Sequence, residues 1–506
     1  MNMKFKFLAA ITMAMGLFSC SNDEGLDNTT PGGQGILGNA ETYATIRIAM
    51  PGGADAMGRA LTKSDPENGD GFEIGTDNEN RFHDITLYFF DGYDKTSTCK
   101  GVLTISKEKF NSQATTEGYN LVYKTTSPIK VGIEGENMQV YAVMNGFVNG
   151  ANAGITLEQF LGKTVNTDAV FNKDKTKFLM TSRTPDKISL SSTTNNTPET
   201  AEELNVSVER TAAKISYQAK NDNNTYDVEN KETTDVVASV TLDQYKLVNL
   251  RNDAYYFRKV ADWHGEWNND KDFGSGDQTL SNYVIDPYFT AKLSSEMNLP
   301  NFTEKWFGQG KAYASNENSS FANLSTSKTE YTTLGYCMEN TTRKEAQLNG
   351  YSTGIIFKAT YAPKQVYTWN EQSKKFETTN YTKGDNFYRY GDVLYKTKQE
   401  ILDHFDGLTE DSELIEEYKG DSNKGATCYY KYWIRHMNNN NNEDMGIMEF
   451  AIVRNNVYKL TVESVSKLGD PTDEIDPDNP DETSKMYLKV NVTILPWVVR
   501  NNSIEL

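Results

Sequence analysis

Cysteine and histidine are scarce in this chain, with four of each in 506 residues. Cys20, Cys99, Cys337 and Cys428 include no two at metal-ligand spacing, which argues against a disulfide scaffold and a zinc site. Beyond Cys20 the number is odd, so at least one is unpaired, and single buried thiols fit this usage. The histidines are His83, His264, His404 and His436, and neither H-E-x-x-H nor G-x-S-x-G occurs. Positive charge is short as well: 51 Lys and Arg stand against 70 Asp and Glu, a formal net charge of −19. Such a surface repels nucleic acid and anionic lipid. The apolar run from Phe7 to Met15 is too short to span a bilayer as a mature helix. At 37% hydrophobic and 24% charged residues the composition is globular, and the length suggests about two all-β domains.

The N-terminus reads as a targeting segment. Lys4 and Lys6 precede the apolar run, and Leu17-Phe18-Ser19-Cys20 comes after it. That tetrapeptide resembles a bacterial lipobox, which implies that Cys20 is the first mature residue and carries lipid. Loss of residues 1–19 removes two lysines and no acid, taking the charge from −19 to −21. Ser21-Asn22-Asp23-Glu24 resembles the acidic signal that sends Bacteroidales lipoproteins to the outer face of the cell. Residues 20–41 are polar and Gly-rich and read as a tether. They include a literal G-x-G-x-x-G at Gly33–Gly38, but no strand precedes it and no helix comes after it, as a dinucleotide site requires.

The rest of the chain is organised around Thr42–Lys63. Tyr43, Thr45, Ile46 and Ile48 belong to an alternating, β-branched run that is stopped by Pro51-Gly52-Gly53, a strand signal. The stretch Ala54–Lys63 is small, polar and flexible, with Arg59-Ala60 inside it, the kind of backbone proteases reach. A first strand joined through a cuttable loop can be removed after folding. The sheet is then left one strand short, and another chain can fill the gap.

Further strands are expected at Asp84–Phe90, Gln139–Met144, Leu204–Arg210, Ala213–Tyr217, Val240–Leu250, Thr353–Tyr361, Gly391–Tyr395, Tyr429–Ile434, Met448–Val453 and Val457–Val465. Leu157–Leu161 reads as a short helix. Lys398–Phe405 and the spacing of Leu414, Ile415 and Tyr418 read as helices. Residues 251–330 read as long surface connections, and 191–203 as a loop near a domain boundary. The acidic run 469–482 reads as a solvated hairpin loop, with calcium binding the competing reading. Leu488, Val490, Val492 and Ile494 alternate cleanly, and Pro496-Trp497 are expected to interrupt them. Trp497, Val498, Val499, Ile504 and Leu506 make the chain's end unusually apolar. That end is either a last strand docked on its own domain or a donor meant for a neighbour.

Taken in order, these pieces resemble the fimbrillins of the Bacteroidales, the type V pilus subunits, closest to the major stalk subunit of the short fimbria. The lipobox, the early strand and the Arg59 loop match that plan, as do Val140–Val143 and Phe178–Thr181. Further on the matching runs are Val208–Arg210 with Ala213–Ile215, Tyr283–Pro287, Tyr336–Thr341, Tyr429-Tyr430 with Ile434–His436, Val453–Tyr458 and Pro496-Trp497. The resemblance implies a mainly β protein of two β-sandwich, transthyretin-like domains with a few short helices. The division would be 60–203 and 204–495, with 42–59 a removable strand and cleavage loop and 496–506 a donor strand. It implies a lipidated precursor on the outer face of the outer membrane, cut after Arg59 by an arginine-specific protease. Homopolymerisation into an extracellular adhesive fimbrium would come next, with anchor and tip proteins as partners, host or bacterial surface ligands as targets, and no cofactor or metal.

Two other classes compete. A non-polymerising surface lipoprotein would use the 29 tyrosines and six tryptophans as a glycan- or host-binding platform, although packing explains aromatics as well. An enzyme reading finds Asp262, His264 and Glu266 around Trp263, which a surface loop explains better. No paired catalytic carboxylates are singled out.

Overall fold

The computed structural model describes residues 38–50, 73–112, 114–117, 120–260, 284–289, 320–342, 344–421, 423–441, 443–482 and 487–498. It is mainly β and built as β-sandwiches, as the sequence suggests. The first strands are β1 (Tyr43–Met50), β2 (Glu73–Ile74), β3 (Asp84–Phe90), β4 (Cys99–Ser106), β5 (Thr115–Glu117) and β6 (Asn120–Lys124). They are succeeded by β7 (Ile129–Lys130), β8 (Gly135–Met144), β9 (Thr164–Asn166), β10 (Met180–Ser182), β11 (Asp186–Leu190) and β12 (Glu202–Arg210).

The first sandwich is one sheet folded over itself, with strand order β4-β3-β8-β10-β12-β1-β6-β5. Strand β12 belongs to both layers. Its first residues pair with β1 in parallel, and its last three pair with β10. Alternation sends Ile46, Ile48 and Met50 inward, against Ile85, Leu87, Phe89, Val140 and Met144 of the facing layer. The expected division at 203/204 falls inside β12, and the chain passes to the second sandwich between Arg210 and Ala213.

The second sandwich uses β13 (Ala213–Tyr217), β14 (Thr225–Glu229), β15 (Val236–Val248), β16 (Asp253–Tyr255), β17 (Ala322–Asn323), β18 (Thr332–Cys337) and β19 (Gly354–Pro363). Strands β20 (Gln365–Asn370), β21 (Lys375–Asn380), β22 (Phe387–Tyr390), β23 (Val393–Tyr395) and β24 (Ile415–Tyr418) form an inserted sheet of their own. Then come β25 (Gly420–Asp421), β26 (Gly425–Trp433), β27 (Asn456–Val465) and β28 (Leu488–Val498). One layer runs β18-β13-β27-β28-β2 and the other β14-β15-β19-β26-β25. Between them lie Ile215, Tyr217, Val240, Phe357, Tyr430 and Leu460.

The two sandwiches share a third core. Tyr88, Tyr141, Leu157 and Phe160 from the first meet Tyr256, Phe257, Met338 and Val457 from the second. Strands β9 and β16 pair across the join, Asn166 opposite Asp253 and Thr164 opposite Tyr255.

Four expectations are corrected. Ile415–Tyr418 is strand β24, not a helix. Ile415 packs under the helix Lys398–His404 while Tyr418 enters the main core, so burial on both faces imitates helical spacing. Met448–Val453 is turn rather than strand: Met448 has φ +54°, and the pairing here is the single bridge of Ile452 with Asn340. Pro496 does not interrupt the last strand, which runs on to Val498. Among the described residues nothing pairs with the outer edge of β28 at Pro496, and an edge tolerates a missing N–H. Finally, residues 253–257 and 284–289 are not surface connections: Tyr256 and Phe257 are buried in the shared core, and Ile285 and Phe289 in a separate cluster with Met448 and Ala451.

Candidate functional site: the first and last strands

Strand β1 lies in the middle of its layer. Ala44–Ala49 pair in parallel with Glu202–Ser207, and Arg47–Met50 pair antiparallel with Lys124–Leu121. Strand β7 takes Tyr43 and Ala44. Side chains tie in its start and middle. Thr42 Oγ1 donates to the Ile133 carbonyl at 2.9 Å and accepts from the Ile133 N–H at 3.1 Å. The Ile46 N–H reaches Thr125 Oγ1 at 3.1 Å.

Ala44, Ile46, Ile48 and Met50 are all 0% exposed. The three larger ones contribute about 1.5–3 kcal/mol each, an upper estimate because unfolded chains already bury some surface. Outward the strand is polar. Arg47 donates to Asn205 Oδ1 at 3.3 Å, and Lys124 and Glu203, from the two flanking strands, meet at 2.9 Å across it. The hydrogen bond from Lys124 and its charge hold the Glu203 carboxyl below its ordinary range.

Of the predicted site residues, Tyr43, Thr45, Ile46 and Ile48 therefore sit together on β1, Ile46 and Ile48 inward, Tyr43 and Thr45 on the alternate, partly exposed face. Cys20, Arg59, Ala60, Val499, Ile504 and Leu506 lie outside the described residues, as do Asp262, His264 and Glu266. Trp497 and Val498 are backbone-paired in the chain's own sheet, parallel to Glu73 and Ile74.

The other candidates are accounted for by packing and ion pairs. Cys99, Cys337 and Cys428 are buried free thiols. His436 is buried, with Nδ1 2.8 Å from the Tyr458 hydroxyl, and burial pushes it down to about 4. His404 stacks on Trp369 at 3.7 Å between ring centroids. In the acidic run the carboxylates are spread over separate cations: Asp470 meets Lys431 at 2.8 Å, Asp473 meets Lys246 at 2.7 Å, and Glu482 meets Arg435 at 2.5 Å. Asp481 is buried against Ser352. Among the described residues no group of three or more His, Cys, Asp or Glu is placed to hold a metal ion. Nor is any described helix long and apolar enough to cross a membrane. Many aromatics are core: Tyr88, Tyr217, Tyr226, Tyr351, Tyr418 and Tyr458 are among the largest fully buried side chains.

Sequence reading missed what the scattered motifs of the second half do. Two of them, Tyr336–Thr341 and Val453–Tyr458, meet at the junction between the sandwiches. Arg454 there makes a bidentate pair with Glu339, at 2.6 and 2.7 Å, and donates to the Tyr255 and Tyr256 carbonyls. Asp286 accepts from the Thr341 N–H at 2.7 Å. The signal was present as charged residues inside apolar runs.

The described residues form β-sandwiches in which these candidate side chains serve packing and ion pairs. Residues 422–503, which span β26, β27 and β28, match the model of the C-terminal region of the type IV major fimbrial subunit protein, fimbrillin. Over that segment the chain is similar to the fimbrillins. Among solved structures it is similar to a fimbrilin (FimA) of Porphyromonas gingivalis W83, at 15% identity over 91% of this chain and 99% of that one, TM-score 0.41. It is similar to a provisionally named cell adhesion protein of Parabacteroides distasonis ATCC 8503, at 12% identity over 91% and 98%, TM-score 0.44. The tip fimbrial protein Mfa3 of Porphyromonas gingivalis is 10% identical over 90% of this chain and all of that one, TM-score 0.33. No curated protein sequence matches significantly.

Proposed function

We propose that this chain is a stalk-type subunit of an adhesive fimbria, exported as a lipoprotein through Cys20 and polymerised after cleavage between Arg59 and Ala60. One observation carries the reading. A strand whose inward residues are all sealed in the first core is also the first strand among the described residues, joined to β2 and what comes after it only through residues 51–72. Removing β1 opens a slot between β12 on one side and β6 and β7 on the other, lined by the inner residues of the first core. Unpaired edges on both sides of such a slot are a template for another strand. While β1 is attached, it fills the slot at high effective concentration, so the uncut chain stays monomeric. The donor is the apolar C-terminal segment of a second copy, with Val499, Ile504 and Leu506 as its apolar side chains. Anchor and tip subunits complete the fibre.

The test uses the lipidated precursor, an arginine-specific protease, and Edman sequencing with SDS–polyacrylamide ladders as readouts. A new N-terminus at Ala60 together with SDS-resistant ladders is the expected result, and Arg59→Ala abolishes both. Surface material that starts at lipidated Cys20 and stays monomeric overturns the reading. It would favour an anchor subunit or a glycan-binding lipoprotein.

A further inference from the structure

Residues 73–82 leave β1's loop, cross to the far edge of the second sandwich, and return to the first. Strand β2 opens this segment and pairs with the end of β28, Glu73 opposite Trp497 and Ile74 opposite Val498. Lys459 of β27 holds Glu73 at 2.7 Å. The Asn80 side-chain amide donates to the Gly75 carbonyl at 2.7 Å, closing a tight loop. A side chain at Gly75 would push against the Asn80 amide and the Arg210 guanidinium, which hold each other there.

The segment's anchor is Glu79, 1% exposed. Its carboxylate accepts from the Tyr336 hydroxyl at 2.5 Å and the Thr76 N–H at 2.7 Å, and pairs with Lys214 at 3.1 Å. Arg210 donates its Nε–H to the Glu79 carbonyl at 3.2 Å and a guanidinium N–H to Asn80. Burial alone would raise the Glu79 carboxyl, but Lys214 and the hydrogen bonds hold it below its ordinary value. Phe82 closes the segment in the first core, against Phe110 and Tyr123.

We infer that residues 73–82 are a permanent strap that clamps the end of the last strand, and that Glu79, Lys214, Arg210 and Tyr336 are positioning residues for the tail rather than parts of the removable piece. The side chains outside the segment that anchor it lie on β12, β13, β18 and β27, and none named above is on β1. Loss of β1 therefore leaves them in place. Trp497 and Val498 stay in the subunit's own sheet, and the part of the chain free to enter a second copy begins at Val499. A buried carboxylate held by Lys214, a phenol and a backbone N–H is a costly arrangement to break, since any one deletion strands the others.

The exchange step rests on the function proposed above, but the clamp is measured independently of it. In the full chain, hydrogen exchange of peptides covering 488–498 is monitored before and after arginine-specific cleavage. Protection unchanged within about twofold is expected. Gly75→Ala and Glu79→Gln should each speed exchange there at least about tenfold, while peptides from β3 and β8 stay protected. A disulfide placed by Ile74→Cys with Val498→Cys should leave ladder formation at the wild-type level. Loss of protection on cleavage, or a locked chain that cuts normally but no longer polymerises, overturns the strap. A wild type that keeps its protection yet never polymerises leaves the strap standing and overturns the function instead.

Discussion

Strand β1 has a neighbour on each side, whereas β28 has β27 on one side and, among the described residues, just the two residues of β2 on the other. Burial differs in the same way: the inward residues of β1 are sealed, while Val490, Val492 and Ile494 of β28 are partly exposed. By contacts alone β28 looks like the strand to give away. Connectivity says the reverse for the proposed exchange. Strand β1 has one covalent exit and β28 is strapped at its end. What makes a strand exchangeable is therefore how the chain enters and leaves it, not how well it is packed. Under the proposed exchange a deep slot is useful, because the better β1 fits, the more tightly its replacement would be held.

The largest test of this contrast is a carboxylate in each strand. Ile48→Asp buries a charge where nothing pairs it, and should cost more than about 4 kcal/mol, so that the first sandwich fails to fold. Val492→Asp can reach water and should cost about 1–2 kcal/mol. Urea unfolding of both variants decides, and equal losses would mean that the two strands are embedded alike.

Next in size is the junction. Glu339 and Arg454 are both 0% exposed. Glu339→Ala strands a buried guanidinium and should cost about 3–5 kcal/mol. Because Arg454 also holds the carbonyls of Tyr255 and Tyr256, the loss should split unfolding into two transitions where the wild type has one. Calorimetry reads this directly. A single transition that merely shifts would mean that the shared core suffices without the pair.

A smaller effect is expected at the thiols. Burial pushes Cys99 up to about 11 and Cys337 and Cys428 up to about 12. Native protein at pH 8 should therefore show less than about a tenth of its thiols reactive within an hour. Cys99 belongs to the shared core rather than to the core under β1. It should stay unreactive after β1 is cut away. Rapid labelling of Cys99 on cleavage would mean that the junction depends on β1.

Much of the β framework was legible because one-sided burial writes itself as alternation. Tyr43–Met50 and Leu488–Ile494 read clearly for that reason. What failed was burial of another kind. Ile415 and Tyr418 face two different cores from one strand, which gives the i, i+3 spacing of a helix. Met448, Phe450 and Ile452 are apolar in alternation, yet they enter three separate clusters from a turn. The strap was not legible at all. Its β2 is two residues long, and its meaning comes from Lys214, Arg210 and Tyr336, which lie 130 or more positions away in sequence. Sequence pattern reports local periodicity, and this part of the molecule is held by distant polar contacts.

The smallest test is a pH dependence that differs between the sandwiches. In the first, burial raises Asp186 of β11 to about 6 from its ordinary 3.8. The folded state then holds a proton that the unfolded state has released, so this contribution is present below 3.8 and is lost as pH rises towards 6. In the second, burial lowers His436 to about 4 from 6.5. Here the unfolded state binds the extra proton, so stability is full above 6.5 and falls as pH drops towards 4, by at most about 1.4 kcal/mol per pH unit. Asp481, raised by burial, acts in the same direction as Asp186, so the second sandwich carries both signs. Asp186→Asn should therefore remove a falling slope between pH 4 and 6, and His436→Gln should remove a rising one. Thermal melts of the two variants across that window separate the effects. If both variants flatten the profile in the same direction, one of the two groups is not buried in the ionisation state that the packing requires.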